Sequence, residues 1–129
     1  LLYKMYLNNS YNTWLRFNGD SGTNYAYHGV SWEGSNTARG NDTQTGILIM
    51  QPSHVTDNSA SGSIYIPDSQ TANKCVSVVN DGGGNQRWMQ SSGTWFNTSS
   101  RVTSVGVHPN AGATFQSGSS LSLYALGEV

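Results

Sequence analysis

The 129-residue chain has a single cysteine, three prolines and few charges, with six Lys plus Arg against seven Asp plus Glu and a net charge of -1. Each shortage excludes something. One thiol, Cys75, closes no disulfide within the chain, so covalent cross-links cannot be what holds the fold, and only pairing with a second chain stays open to it. So small and balanced a set of charges gives no basic patch to neutralise a phosphate backbone, and nucleic acid is not an expected partner. The longest apolar runs, such as Ile47 to Met50, are four residues long. A membrane-crossing helix needs roughly 20, so no membrane partner is expected either. Helical periodicity is also missing, because Gly or runs of Ser and Asn interrupt every candidate stretch. The first residues, Leu1-Leu2-Tyr3-Lys4-Met5, show neither a secretory leader nor an initiator Met. The expectation is a processed chain or the ordered part of a longer one.

What the chain does contain is neutral polarity: 19 Ser, 11 Thr, 13 Asn and 15 Gly, about 45% of the residues. Disordered chains usually carry high net charge, whereas this one has almost none and holds 14 aromatics for a core. A folded chain is expected, with residues 1–129 forming one domain. Leu2 to Leu7 is dense in strand formers, and Thr13 to Phe17 alternates in the period of a half-buried strand. Asn18 to Asn24 reads as a reversing turn, leading by a hairpin into Tyr25 to Trp32. Gly29, in the middle of that strand, marks a bulge or a close approach. Glu33 to Thr45 is almost purely polar and reads as a surface loop. Further strands are expected at Gly46 to Met50, Ser63 to Ile66, Lys74 to Val79, Gln86 to Gln90, Gly93 to Phe96, Arg101 to Val107 and Ser120 to Leu126. Lys74 to Val79, the most apolar, should be central. Nine or ten short strands at this spacing predict an all-β, antiparallel β-sandwich.

The residues that carry chemistry do not assemble into a site on paper. A glycosidase needs two facing carboxyl groups, but Asp20, Glu33, Asp42, Asp57, Asp68, Asp81 and Glu128 fall almost entirely in turns or at the terminus. There, Asp is favoured for its hydrogen bonds to the local backbone. His28, His54 and His108 lie far apart in sequence and in no metal-ligand spacing. Cys75, between apolar neighbours in a strand, suits a small buried hydrophobe better than a nucleophile. Asn18 to Asn24 places oxygen-bearing side chains at alternate positions, as a calcium loop would. Position 12 of an EF-hand count is Gly29, however, where an acid is required, so a turn is expected. Asp81-Gly82-Gly83-Gly84 lacks the Lys-Ser/Thr pair of a phosphate loop and also reads as a turn. No catalytic residue, cofactor or metal is therefore expected, and the chain is not expected to be an enzyme. The aromatics are the remaining asset: Trp14, Trp32, Trp88, Trp95, Tyr3, Tyr6, Tyr25, Tyr27, Tyr65 and Tyr124 can fill a core, anchor an interface or stack on sugars. Which of them anchor an interface is not readable from sequence.

Leu15-Arg16-Phe17-Asn18-Gly19-Asp20-Ser21-Gly22-Thr23-Asn24-Tyr25, together with the ending Phe115-Gln116-Ser117-Gly118-Ser119-Ser120-Leu121-Ser122-Leu123-Tyr124-Ala125-Leu126, resembles a group of tailed-bacteriophage virion structural proteins. Between these ends, Ile64-Tyr65-Ile66 ahead of Lys74 and Gly93-Thr94-Trp95 ahead of Arg101 to Val107 follow the same order. The resemblance implies a jelly-roll-like sandwich on the capsid or tail surface of the virion. The function expected from it is capsid decoration or cement, with the major capsid protein and copies of the chain itself, as a homotrimer, for partners. The alternatives are a tail-fibre or receptor-binding domain that recognises cell-surface glycan, or a carbohydrate-binding module. A surface poor in Lys and Glu fits a part that lives inside an assembly, since interfaces are depleted in those residues.

Overall fold

The computed structural model describes residues 1–8, 12–32, 36–50, 59–67, 74–82, 88–97, 99–110 and 112–125; for positions 36, 37, 39, 50 and 74–82 it describes the backbone alone. Ten strands run through these segments: β1 (Leu2–Tyr6), β2 (Thr13–Phe17), β3 (Tyr25–Trp32), β4 (Asn36–Gln44), β5 (Ile47–Met50), β6 (Ser59–Tyr65), β7 (Lys74–Gly82), β8 (Trp88–Trp95), β9 (Val105–Pro109) and β10 (Ser120–Ser122). All pairings are antiparallel, in a seven-stranded sheet ordered β10-β1-β6-β7-β8-β3-β4 and a three-stranded sheet ordered β5-β2-β9. The expected all-β antiparallel sandwich is the architecture found.

The core follows from alternation. Along β8, Met89, Ser91, Gly93 and Trp95 are buried while Trp88, Gln90 and Ser92 are exposed, and β1 and β6 alternate likewise. Tyr3, Met5, Ala60, Ile64, Tyr25 and Trp95 of the large sheet thereby meet Leu15, Phe17, Ile47 and Ile49 of the small one in a single cluster. A second, smaller cluster joins Trp14 and Leu48 to Met89, with Tyr27 packed against it. Two buried side chains also bond across to the backbone of β5: the Tyr3 hydroxyl donates to Ile49 O at 3.0 Å and Ser91 Oγ donates to Leu48 O at 3.2 Å. Gly93 is the residue that lets β5 come this close, because a Cβ there would lie 2.5 Å from Ile47 Cγ2.

Several expectations change in detail. β2 and β3 do not pair as a hairpin; the turn between them carries the chain from the small sheet to the large one. The polar segment expected to be a loop contains β4, the edge strand beside β3. An edge strand pairs on one side only and needs little apolar content, so its sequence resembles that of a loop. Where two strands were expected, at Gln86 to Gln90 and Gly93 to Phe96, the described residues form one continuous strand, β8, from Trp88 to Trp95. The last two strands are displaced or shorter, at Val105–Pro109 and Ser120–Ser122. β7 is the fourth of seven strands, central as its apolar sequence required. Gly29 is a close approach, since a Cβ there would meet Gln90 O at 2.4 Å.

Candidate functional site

The turn after β2 is the most densely bonded polar feature of the described residues, and its bonds explain its sequence. Asn18 and Gly19 have φ of 52° and 70°, and Asp20 N donates to Phe17 O at 2.9 Å, closing the reversal that an Asn-Gly pair favours. The Asn18 side chain then grips the segment before β9: its Nδ2 donates to Arg101 O, while its Oδ1 accepts from Thr103 N at 2.8 Å and Ser104 N at 3.1 Å. The Asp20 carboxylate accepts from Gly22 N (2.8 Å), Asn24 Nδ2 (3.0 Å) and Trp95 Nε1 (2.7 Å). Tyr25 completes the knot, its hydroxyl accepting from Phe17 N at 3.0 Å and donating to Asp20 O at 3.1 Å. These oxygens each face N–H or O–H donors of the protein rather than one common point, which is the arrangement of a structural turn and not of a calcium loop.

The charges of this knot fix its pH response. Burial pushes the Asp20 carboxyl up, but the hydrogen bonds from Trp95, Asn24 and Gly22 and the charge of Arg16 outweigh it, so the net direction is down. Burial raises the Tyr25 phenol to about 12, with the Asp20 charge adding to the rise and the Phe17 bond and Arg16 opposing it. A phenol with a raised pKa contributes stability that is complete below its unfolded value of about 10 and is lost as the pH rises toward the folded value. The protein is therefore expected to lose stability between about pH 10 and 12. Tyr25→Phe should flatten that loss while costing about 1–3 kcal/mol at neutral pH through the abandoned Phe17 N–H and Asp20 carbonyl. Denaturant unfolding of both proteins across this range checks it.

The remaining candidates are dispersed. His28 Nε2 lies 2.9 Å from Asp42 Oδ1, both groups on the surface, and the ring occupies space left by Gly40, where a Cβ would meet His28 Nδ1 at 2.4 Å. His108 is held below its ordinary pKa by burial and by Arg16, whose own guanidinium donates to Thr45 O and Thr45 Oγ1. Among the described residues no group of three His, Cys, Asp or Glu gathers to hold a metal, and no helix is long and apolar enough to cross a membrane. Glu33, His54, Asp57, Asp68, the turn at 83–85 and Glu128 lie outside the described residues, as do the side chains of Cys75 and Asp81.

The aromatics separate into two groups that sequence alone left mixed. Trp95 and Tyr25 are fully buried, with ring centroids 6.3 Å apart, and the Phe17 ring lies 5.5 Å from that of Trp95. Trp14 is buried against Tyr27, and Tyr3 is in the core. Trp32, Trp88, Tyr65 and Tyr124 are exposed instead. Two surfaces result. On the outward face of the large sheet, Trp32 stands directly opposite Trp88 across the β3–β8 pair. At the far edge of the same sheet lie the exposed Leu2 on β1 and Leu121 on β10, on opposite faces by register, with the exposed Leu123 and Tyr124 just after β10, so that apolar side chains flank this rim. The chain ending is sewn there by Ser119 Oγ, which accepts from Tyr6 N at 3.0 Å and donates to Tyr6 O at 3.3 Å.

Comparison of the chain with protein-family models, with curated proteins and with solved structures returned no match.

Proposed function

We propose that the chain is a non-enzymatic structural protein of a bacteriophage virion, a capsid decoration or cement protein that stabilises the shell as a homotrimer seated over junctions of the major capsid protein. The observation that supports this best is where the exposed apolar side chains lie. Of nine large apolar residues exposed among those described, Leu2 and Leu121 lie on the two faces of the β1–β10 edge, Leu123 and Tyr124 follow β10 directly, and Phe115 bridges to Leu7 beside it. β10 leaves one backbone edge unpaired within the described sheet, so the rim offers both hydrogen-bonding groups and apolar area to a neighbouring chain. The chain as a whole carries few charges, and copies can sit close together without accumulating repulsion. In this role the shell gains strength from summed contact area, not from chemistry, and the Asp20 carboxylate is spent on the fold. The resemblance of the two sequence ends to phage virion proteins points the same way. A receptor-binding tail domain is the second reading, favoured by the exposed Trp32 and Trp88. Counting copies per particle by quantitative mass spectrometry separates the two. Hundreds of copies are expected, and a few dozen or fewer would replace the capsid role with a tail role.

A further inference from the structure

The outward face of β3 and β8 has the chemistry of a sugar platform. Register places Trp32 opposite Trp88, Val30 opposite Gln90, His28 opposite Ser92 and Ala26 opposite Thr94, so these side chains form one double row. The alternate residues Tyr25, Ser31, Met89, Ser91 and Trp95 point inward and are buried, which turns the row to the outer face; there Trp32, His28, Trp88, Gln90 and Ser92 are exposed, Val30 and Thr94 half-buried and Ala26 buried. At one end Trp32 is 37% and Trp88 38% exposed, a large indole area for a surface. At the other end, a depression of about 130 Å³ opens between Ala26, Tyr27, His28, Ser92, Gly93 and Thr94. Six residues of strand separate Trp32 from Ala26, about 20 Å at strand rise, enough for several sugar rings in line.

Charge selects the class of ligand. Neither this double row nor the residues registered beside it on β4 and β7, Asn36, Ala38, Gly40, Val79, Ser77, Cys75 and Asp81, include a Lys or Arg. Among the described side chains of this face no Lys or Arg is supplied for a phosphate, sulfate or carboxylate. What is supplied is neutral hydrogen bonding from Gln90 and Ser92, and the exposed His28–Asp42 pair, which offers a donor and an acceptor side by side. Gly40 is what allows that pair, because the His28 ring lies where a side chain at position 40 would be. Apolar C–H faces above indoles, with hydroxyls bonded at the rim, are how an uncharged pyranose chain is held.

We propose that this face binds a neutral, extended oligosaccharide, with Trp32 and Trp88 as the stacking pair and His28, Asp42, Gln90 and Ser92 as the hydroxyl-bonding set. The site does not depend on the capsid role: the rim at β10 lies four strands or more from β8 in the same sheet. On a particle carrying many copies, weak sugar contacts would sum to firm attachment. The test is titration of the full chain with oligomers of glucose, N-acetylglucosamine, mannose and galactose, read by tryptophan fluorescence and calorimetry. At least one should bind with a millimolar or tighter Kd. Trp32→Ala and Trp88→Ala should each weaken it by about tenfold or more, with circular dichroism checking that they fold. Gln90→Ala, which removes no aromatic, should weaken it less, and Leu123→Asp, on the rim, should leave it unchanged. A sulfated oligomer should not compete. No binder in the millimolar range, or binding that survives both tryptophan substitutions, or a protein partner covering the two indoles in the particle, would overturn the proposal.

Discussion

Trp95→Ala is expected to destabilise the protein by about 3–5 kcal/mol, the largest effect of any single substitution considered. The indole is fully buried against Phe17 and Tyr25, and its removal leaves a cavity that neighbours from two sheets cannot both fill. It also takes away the donor to Asp20 Oδ2, loosening the turn that crosses between the sheets. Trp95→Phe restores much of the volume without the N–H, so the two variants separate packing from the hydrogen bond. Trp95→Phe should cost less, about 1–3 kcal/mol, and should retain a folded spectrum. Chemical denaturation monitored by near-ultraviolet circular dichroism measures both. A loss below about 1 kcal/mol for Trp95→Ala would mean that the knot is not a stabilising feature.

The second large effect concerns assembly and leaves folding intact. Leu123 is 67% exposed, so Leu123→Asp removes nothing the isolated fold needs. In a trimer or on a capsid junction the same change places a charge in a contact that must be desolvated. Losing the burial of one Leu is worth about 1.5–3 kcal/mol per site, at least about tenfold in affinity, before any penalty for the charge. Under the proposed role, sizing chromatography with light scattering should show a trimer for the wild type and a monomer for Leu123→Asp. Particles made with the variant should carry far fewer copies. An unchanged mass and copy number would remove the rim from the interface.

Much of the fold was legible in the sequence, for reasons that particular residues make plain. β2 and β3 were readable to the residue, because Thr13 to Phe17 alternates in sequence, Tyr25 to Trp32 resumes a strand, and an Asn-Gly turn separates them. The destination of that turn was not readable. An Asn-Gly pair encodes a reversal, but whether the next strand pairs with the last or crosses to another sheet depends on contacts such as Asn18 to Thr103, far away in sequence. β4 was hidden because an edge strand needs no apolar face, and Asn, Asp and Thr there serve solvent as well in a strand as in a loop.

The same distinction applies to the surfaces. Nothing in the composition separates Trp95, a core residue, from Trp88, an exposed one, although both are on β8. The signal that would have separated them is parity. Seven positions apart on one strand they must face opposite ways, and Trp95 follows Gly93 and Ser91 inward. Pairing of Trp32 with Trp88 needed the β3–β8 register, which no local pattern reports. The phage-like motif, conversely, was visible at once but proves to be a structural device, with Asn18, Asp20 and Tyr25 bonded to the backbone and to Trp95. It explains how the chain folds, whereas a proposal about function has to rest on the exposed rim and face.

Under the proposed role, electron cryomicroscopy of phage particles assembled with this chain, with the chain located in the density, is the most direct test of a capsid function. Trimeric density repeated over the capsid lattice, with the β10 edge against its neighbours and the β3–β8 face outward, is the expected result. Density confined to the tail, or no density for the chain in the particle at all, would contradict it.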